Sequence, residues 1–195
     1  MNGGRHTLKN LTEETQSTTE IFKGNVIALE IDTVRLPNGE TATREIIRHP
    51  GAVAILAITT DKKMVFVEQY RKPIGAILFE IPAGKIDDGE TNPLVTAKRE
   101  LEEETDYRAE KWQRLTALYT APGFADEVIH IYEATKLTIA SNALKLDDDE
   151  FLNVHLLSLD EAKQLIGSQK IVDAKTVFAF NKHIFTITKI LLIFC

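Results

Sequence analysis

The chain is nearly without cysteine: one residue in 195, Cys195 at the last position, so no disulfide framework closes within it and a reducing, cytoplasmic setting is expected. It has no basic stripe. Lys and Arg number 23 against 29 Asp and Glu, and the net charge of −6 excludes a nucleic-acid surface from the expected functions. Nor is there a run fit to span a membrane, since the apolar stretch Ile184–Cys195 is short and carries Lys189, and the first residues hold no apolar signal core. The histidines (His6, His49, His130, His155 and His183) show no ligand spacing, so they read as structural or exposed. No Ser or Cys stands in a nucleophilic arrangement, which disfavours a covalent mechanism. Internal repeats and low-complexity segments are absent. What remains, 44% hydrophobic and 27% charged, suits one α/β domain with a full core and a small appendage.

Taken in order, residues 1–20 are polar, rich in Thr and Glu, and read as a frayed arm or short helix. Residues 21–48 alternate: Ile27, Leu29 and Ile31 oppose Glu30 and Asp32, and Pro37-Asn38-Gly39-Glu40 turns the chain back through Thr41 to Arg48 as an antiparallel hairpin. His49-Pro50-Gly51 then punctuates the chain. Ala52–Thr60 is almost continuously apolar, hence a central strand, and further strands are expected at Met64–Tyr70, Ala76–Ile81, Trp112–Tyr119, Val128–Ala134 and Leu152–Leu157. Ser158–Ile166 reads as a helix capped by Ser158 or Asp160, and a last helix begins near Asp173. Strands interleaved with helices predict an α/β (α+β) fold with a mixed sheet between helices. The domain itself is expected over residues 49–180, followed by an apolar tail, 181–195.

The stretch that organises the rest begins at Ala83. Ala83–Glu90 is rich in Gly and acid and must be a tight loop; Asn92–Thr105 reads as a helix, with Asn92 as N-cap and Pro93 at the first position. At 100° per residue Leu94, Ala97 and Leu101 face inward, while Glu100, Glu103 and Glu104 share an adjacent arc and Glu102 points elsewhere. Side chains at these spacings stand about 5–6 Å apart at Cβ. Three such acids repel, and Arg99, four residues before Glu103, neutralises only one charge. Two readings follow. The helix presents a solvated acidic face, or it holds a hard divalent cation, as Mg²⁺ is held by carboxylates together with substrate phosphates.

Gly84, five residues, Glu90, then Arg99-Glu100-Leu101-Glu102-Glu103-Glu104 resembles the Nudix box, the signature of the Nudix hydrolases. Two positions depart from that pattern. Eight residues, Thr91–Lys98, separate Glu90 from Arg99 where it has seven, and Asp106 stands where it has the Gly that ends the helix in a left-handed conformation. The extra residue is best absorbed at Thr91–Pro93, before the first turn. Arg48-His49-Pro50-Gly51-Ala52-Val53, Glu68-Gln69-Tyr70-Arg71, Glu80-Ile81-Pro82-Ala83-Gly84 and Thr120-Ala121-Pro122-Gly123-Phe124-Ala125-Asp126-Glu127 are similar to the ADP-ribose pyrophosphatase branch, as is Pro122 fifteen residues beyond Tyr107. The likeness runs from about Ile21 to Lys175. It implies the Nudix fold and a homodimer whose N-terminal hairpins, residues 21–48, help build the substrate sites. It also implies Mg²⁺-dependent hydrolysis of ADP-ribose to AMP and ribose 5-phosphate, with Mn²⁺ as the alternative ion and no membrane or nucleic-acid partner.

Pyrophosphate hydrolysis needs neutralised oxygens, an activated water and an aligned leaving group. Glu100, Glu103 and Glu104 would hold the metal, Glu103 thereby acting in catalysis, and the resemblance adds the backbone carbonyl of Ala83. It also draws the general base from the acidic loop Asp147–Glu150, with Glu150 favoured and Asp148 in the other role; Phe151 would partly desolvate Glu150. The competing reading of that loop is a solvated turn. Arg71 is a candidate phosphate or ribose contact, Glu80 and Glu127 candidate ribose contacts, and Gly84 belongs to the substrate loop. Two other functions stay open: hydrolysis of another nucleoside-diphosphate sugar, and a sensor that binds ADP-ribose-like ligands without turnover.

Overall fold

The computed structural model describes residues 10–142, 144–146 and 150–193. These form two compact units, the first reaching to Pro50 and including Ala121–Glu127, the second comprising Gly51–Thr120 and the chain from Val128 onward.

The first unit is a three-stranded antiparallel sheet of β1 (Glu14–Lys23), β2 (Ala28–Arg35) and β3 (Thr41–Arg48) in that order. The expected hairpin is β2–β3, closed by the turn in which Gly39 takes φ 89°, and its register runs unbroken from Ala28↔Arg48 to Arg35↔Thr41. β1 corrects the expectation of a frayed arm or short helix over residues 14–20. All ten of its residues are exposed, so no apolar alternation marks it as a strand. It is held instead by its backbone ladder to β2 and by Thr15 and Thr18, whose hydroxyls donate to the buried carboxylate of Asp32, the latter at 2.6 Å. On the other side of the sheet Ala121–Glu127 meets β3: Ile47 N–H donates to Phe124 O and Asp126 N–H to Ile47 O.

The second unit is built on a mixed sheet. Its strands are β4 (Ala52–Ile58), β5 (Met64–Arg71), β6 (Ala76–Glu80), β7 (Ala83–Lys85), β8 (Tyr107–Tyr119), β9 (Val128–Ile139) and β10 (Leu152–Leu157). The main path is β10-β5-β4-β9-β8, with β6 paired to β5 and β7 to β4. Only β4 and β9 pair in parallel among the strand pairs described. The helices are α1 (Pro93–Thr105), α2 (Leu159–Gly167) and α3 (Ala174–Ile193). β4 shows why its sequence is apolar throughout. Val53, Ile55 and Ala57 face a core completed by Ala97 and Leu101 of α1, while Ala54, Leu56 and Ile58 face one completed by Ala162 of α2 and Ala179 and Phe180 of α3. Successive side chains of a strand point to opposite faces, so a strand covered on both sides is apolar at every position.

The helix ends follow their caps. Asn92 accepts the N–H of Leu94, Ser158 forms a reciprocal capping box with Glu161, and Asp173 accepts the N–H and hydroxyl of Thr176. Asp106 ends α1 at φ 58°, the left-handed conformation for which a Gly is ordinarily used, and its N–H closes on Glu102 O. α3 runs without a break through residues 180 and 181, so the apolar tail continues the last helix of the domain as far as Ile193. Among the described residues no helix is long and apolar enough to cross a membrane.

Candidate active site

Five consecutive residues, Glu80–Gly84, carry the site, and each is engaged separately. Glu80 ends β6 with its side chain wholly buried (the residue is 1% exposed), and its carboxylate accepts Arg71 Nε at 2.7 Å, Arg71 Nη2 at 2.8 Å and Lys175 Nζ. Burial disfavours its charged form, yet Arg71 and Lys175 outweigh that and hold it down to about 2. Ile81 N–H donates to Thr176 Oγ1 in the first turn of α3. Pro82 O accepts Ile55 N–H of β4. Ala83 turns its N–H out of that ladder to Glu104 Oε2 at 3.0 Å, and the carbonyl of an extended residue points to the same side. Gly84 leaves space: a Cβ there would lie 1.9 Å from the carboxyl carbon of Glu100.

The acids of α1 are therefore packed against this loop. Glu100 and Glu104 are both buried. Burial pushes the Glu100 carboxyl up to about 7, with Glu103 and Glu150 adding and Arg99 opposing. Burial likewise pushes Glu104 up to about 8, with Glu100 and Glu150 adding against the Ala83 N–H and Arg71. Two carboxylates whose burial outweighs the positive charge beside them are not a solvated helix face. Glu102 is the contrast. Turned off the arc as its position requires, it forms a two-pronged pair with Arg108 at 2.6 Å on each prong.

Arg99 stands among four acids. Its Nη1 lies 2.9 Å from Glu100 and 2.8 Å from Glu103, and its Nη2 3.1 Å from Asp87 and 3.6 Å from Glu90. These neighbours raise its pKa despite partial burial. Glu90 has a defined place in spite of the extra residue, because its carboxylate accepts Thr96 Oγ1 at 2.8 Å and Asp87 N–H at 3.2 Å, tying the loop to the first turns of α1. The insertion is taken up before Pro93, outside the helix.

A divalent cation fits this donor set. Its ligands would be the carboxylate oxygens of Glu100, Glu103 and Glu104 with the Ala83 carbonyl, a hard, anionic group suited to Mg²⁺ or Mn²⁺. Among the described residues no three acidic, His or Cys side chains already stand in coordination geometry. Arg99 lies between Glu100 and Glu103, and Glu104 is turned to the Ala83 N–H, so a cation would exchange with these contacts.

The remaining expected residues are placed as follows. Arg71 is anchored at one edge by Glu80 and feels the charge of Glu104, while 39% of its side chain is exposed. Glu80 itself has both oxygens committed to cations, a role in holding Arg71 that the sequence did not reveal. Glu127 lies in the first unit, 3.8 Å from His49 Nδ1. Glu150 is exposed and raises the pKa of both Glu100 and Glu104. It lines a groove of about 590 Å³ with Tyr70, Ile77, Phe151 and Asn153. Phe151, expected to desolvate it, is instead 83% exposed. Asp148 lies outside the described residues. Sequence reasoning missed Lys175 and Thr176, which stand 95 positions from their partners and carry no local motif.

The chain is similar to known proteins over most of its length. A family model described as the NUDIX domain matches residues 48–180, more than half of the chain. A methanol dehydrogenase activator of Bacillus methanolicus is 54% identical over 167 residues, covering 86% of this chain and 90% of that protein. An ADP-ribose pyrophosphatase of Bacillus subtilis (strain 168) is 48% identical over 174 residues, covering 89% and 94%. Among solved structures an ADP compounds hydrolase superposes with a TM-score of 0.80 over 93% of this chain and 97% of that one, at 21% identity, a likeness of fold. With its loop and acidic helix packed as described and the family model spanning both, the chain belongs to the Nudix family of hydrolases.

Proposed function

We propose that this enzyme hydrolyses the pyrophosphate bond of ADP-ribose to AMP and ribose 5-phosphate, with Mg²⁺, or Mn²⁺ in its place, held by Glu100, Glu103, Glu104 and the Ala83 carbonyl. The observation that carries the reading is the burial of Glu100 and Glu104 against Gly84 and Ala83, which sets two desolvated carboxylates beside a loop instead of in solvent. A bound divalent cation supplies neutralisation of the phosphate oxygens and a bound water of lowered pKa. The protein's own groups do the rest. Arg71, fixed at one edge, offers the other to a phosphate oxygen, and Glu150, exposed at the groove beside the acids, accepts a proton from the attacking water. Asp148 takes the supporting role in the same loop, Gly84 admits the substrate loop's close approach to Glu100, and Glu127 is the remaining candidate for a ribose hydroxyl. The active species is a homodimer to which the N-terminal sheets contribute.

The relatives named ADP-ribose pyrophosphatase, at 48% identity in Bacillus subtilis and 45% over 124 residues in Mycobacterium tuberculosis, favour ADP-ribose over other nucleoside-diphosphate sugars. A GDP-mannose pyrophosphatase of Cronobacter sakazakii is 32% identical over 150 residues. The test is product analysis after adding Mg²⁺ to a panel of ADP-ribose, GDP-mannose and UDP-sugars, ranked by kcat/KM. A GDP or UDP conjugate preferred tenfold or more refutes the substrate, and binding without turnover makes the protein a sensor. A second reading, activation of a dehydrogenase, is favoured by the 54% identical relative of that description. Dehydrogenase turnover with the wild type and with Glu103→Gln shows whether such an effect exists and whether it needs hydrolysis.

A further inference from the structure

We propose that Lys175 is a positioning residue for phosphate recognition: acting through Glu80, it fixes the guanidinium of Arg71 so that the outward edge of that fork meets an anionic phosphate oxygen. The inference rests on the pyrophosphatase reading in taking a phosphate as the ligand, and it begins from a buried acid. A carboxylate as enclosed as Glu80 is tolerated only where cations and hydrogen bonds replace its water. Arg71 supplies two donors from one edge of its fork, and Lys175 Nζ supplies a third, to Oε2, the oxygen that also receives Arg71 Nη2. With that oxygen held from both sides, the carboxylate cannot turn about its last torsion, and neither can the fork lying on it.

Lys175 is itself enclosed, its side chain 11% exposed, with Nζ 3.0 Å from Asp173 Oδ1. Asp173 is held in turn by the N–H and hydroxyl of Thr176, whose Oγ1 receives the N–H of Ile81. The first turn of α3 thus grips residues 80 and 81 together. Charges alternate along the chain of contacts, Arg71, Glu80, Lys175, Asp173, so no isolated charge is buried. At its far end Arg71 is partly open, with 39% of its side chain exposed, so the edge of the fork not bound to Glu80 is accessible to a ligand. A guanidinium already immobilised has lost its rotamer freedom before the ligand arrives, and preorganisation of this kind is worth about 0.5–1.5 kcal/mol per side chain, about two- to twelvefold in affinity.

The test compares wild type, Lys175→Met, Lys175→Gln, Lys175→Arg, Arg71→Ala and the Lys175→Met/Arg71→Ala double variant. ADP binding is measured by calorimetry, and ADP-ribose turnover in parallel. Lys175→Met and Lys175→Gln are expected to weaken ADP binding and raise KM about three- to tenfold with kcat changed less, because the lost interaction is uniform binding. Lys175→Arg should recover most of the loss, and Lys175→Met should add nothing in the Arg71→Ala background. Unchanged ADP affinity and KM in both neutral variants overturns the proposal, as does a loss that multiplies that of Arg71→Ala. Loss of fold in both makes Lys175 a structural residue and overturns it equally. A wild type that binds ADP but leaves ADP-ribose intact refutes the pyrophosphatase reading while the titrations still decide the role of Lys175, and a wild type that does not bind ADP overturns the phosphate assignment itself.

Discussion

Replacing Gly84 with alanine would add one methyl group to the site, and the structure says where it would go. The new Cβ would stand 1.9 Å from Glu100 Cδ and 2.2 Å from each carboxylate oxygen, far inside any real contact. The backbone does not oppose the change, since Gly84 is not among the residues at positive φ. The whole penalty therefore falls on Glu100, which must leave its place beside the loop, or on β7, which must part from β4. Overpacking of this kind costs about 1–3 kcal/mol. Spent on the carboxylate, the same amount weakens Mg²⁺ binding by about 5- to 150-fold and lowers kcat/KM in step. Gly89→Ala is the control. Its φ of 90° makes alanine unfavourable there by backbone strain, but nothing lies within 4 Å of its Cβ, so stability falls slightly while metal affinity holds. The assays are calorimetric Mg²⁺ titration, steady-state kinetics and thermal melting of Gly84→Ala, Gly89→Ala, Glu100→Ala and the Gly84→Ala/Glu100→Ala double variant. The two changes should be strongly non-additive, because alanine at 100 removes the atoms that alanine at 84 would strike. Wild-type metal affinity in Gly84→Ala, or full additivity in the double variant, would refute the reasoning.

Three further outcomes are expected. Glu103→Gln and Glu104→Gln should each lower kcat by several orders of magnitude with the fold retained, while Glu102→Gln, whose carboxylate is held by Arg108 off the arc, should stay within about twofold; equal effects at all three positions would contradict the site. Glu150→Gln should reduce kcat about 10²-fold or more with ADP-ribose still bound, and should remove the acidic limb of the pH–rate profile; a near-normal kcat with that limb intact would reduce the loop to a solvated turn. Glu100 and Glu104, raised to about 7 and about 8, keep protons in the metal-free fold that the unfolded chain has already released. Their contribution to stability is complete below the ordinary carboxylate value and is lost as pH rises through 7 and 8. The Tm without metal should therefore fall between roughly pH 5 and 8 and level off above that, and Mg²⁺ binding below pH 8 should release protons; a metal-free Tm that rises across that window would contradict the burial of these acids.

The helix was the most legible element because its signals are local. Asn92, Pro93 and the 3.6-residue period place Glu100, Glu103 and Glu104 on one arc and Glu102 off it, and the structure agrees at every one of these positions. Central strands were legible for a similar reason, since an unbroken apolar run such as Ala52–Ile58 is what a strand covered on both faces requires. β1 was not. With all ten residues exposed it has no inward face to write a period into the sequence, and the hydroxyls that anchor it bond an aspartate 14 and 17 positions away. The hold on Arg71 was hidden by distance of another order, Lys175 lying 95 residues from Glu80. Glu90 was ambiguous in the sequence because one inserted residue moves it against the helix pattern, and only its bonds to Thr96 and Asp87 show that the loop absorbs the shift.

That tolerance has a counterpart in the segment Glu80–Gly84. The span between Ile86 and Pro93 accepts an added residue because its backbone answers to one carboxylate and a turn. Glu80–Gly84 answers to β4, α1 and α3 at once, and alternate residues of an extended chain face opposite ways. Adding or deleting one residue there would hand Ala83's outward N–H to a neighbour and bring a side chain where only Gly84 fits. Natural or engineered length variation should therefore be confined to one side of Lys85. The loop after it can grow, whereas the five residues before it form a ruler whose length is as fixed as its composition.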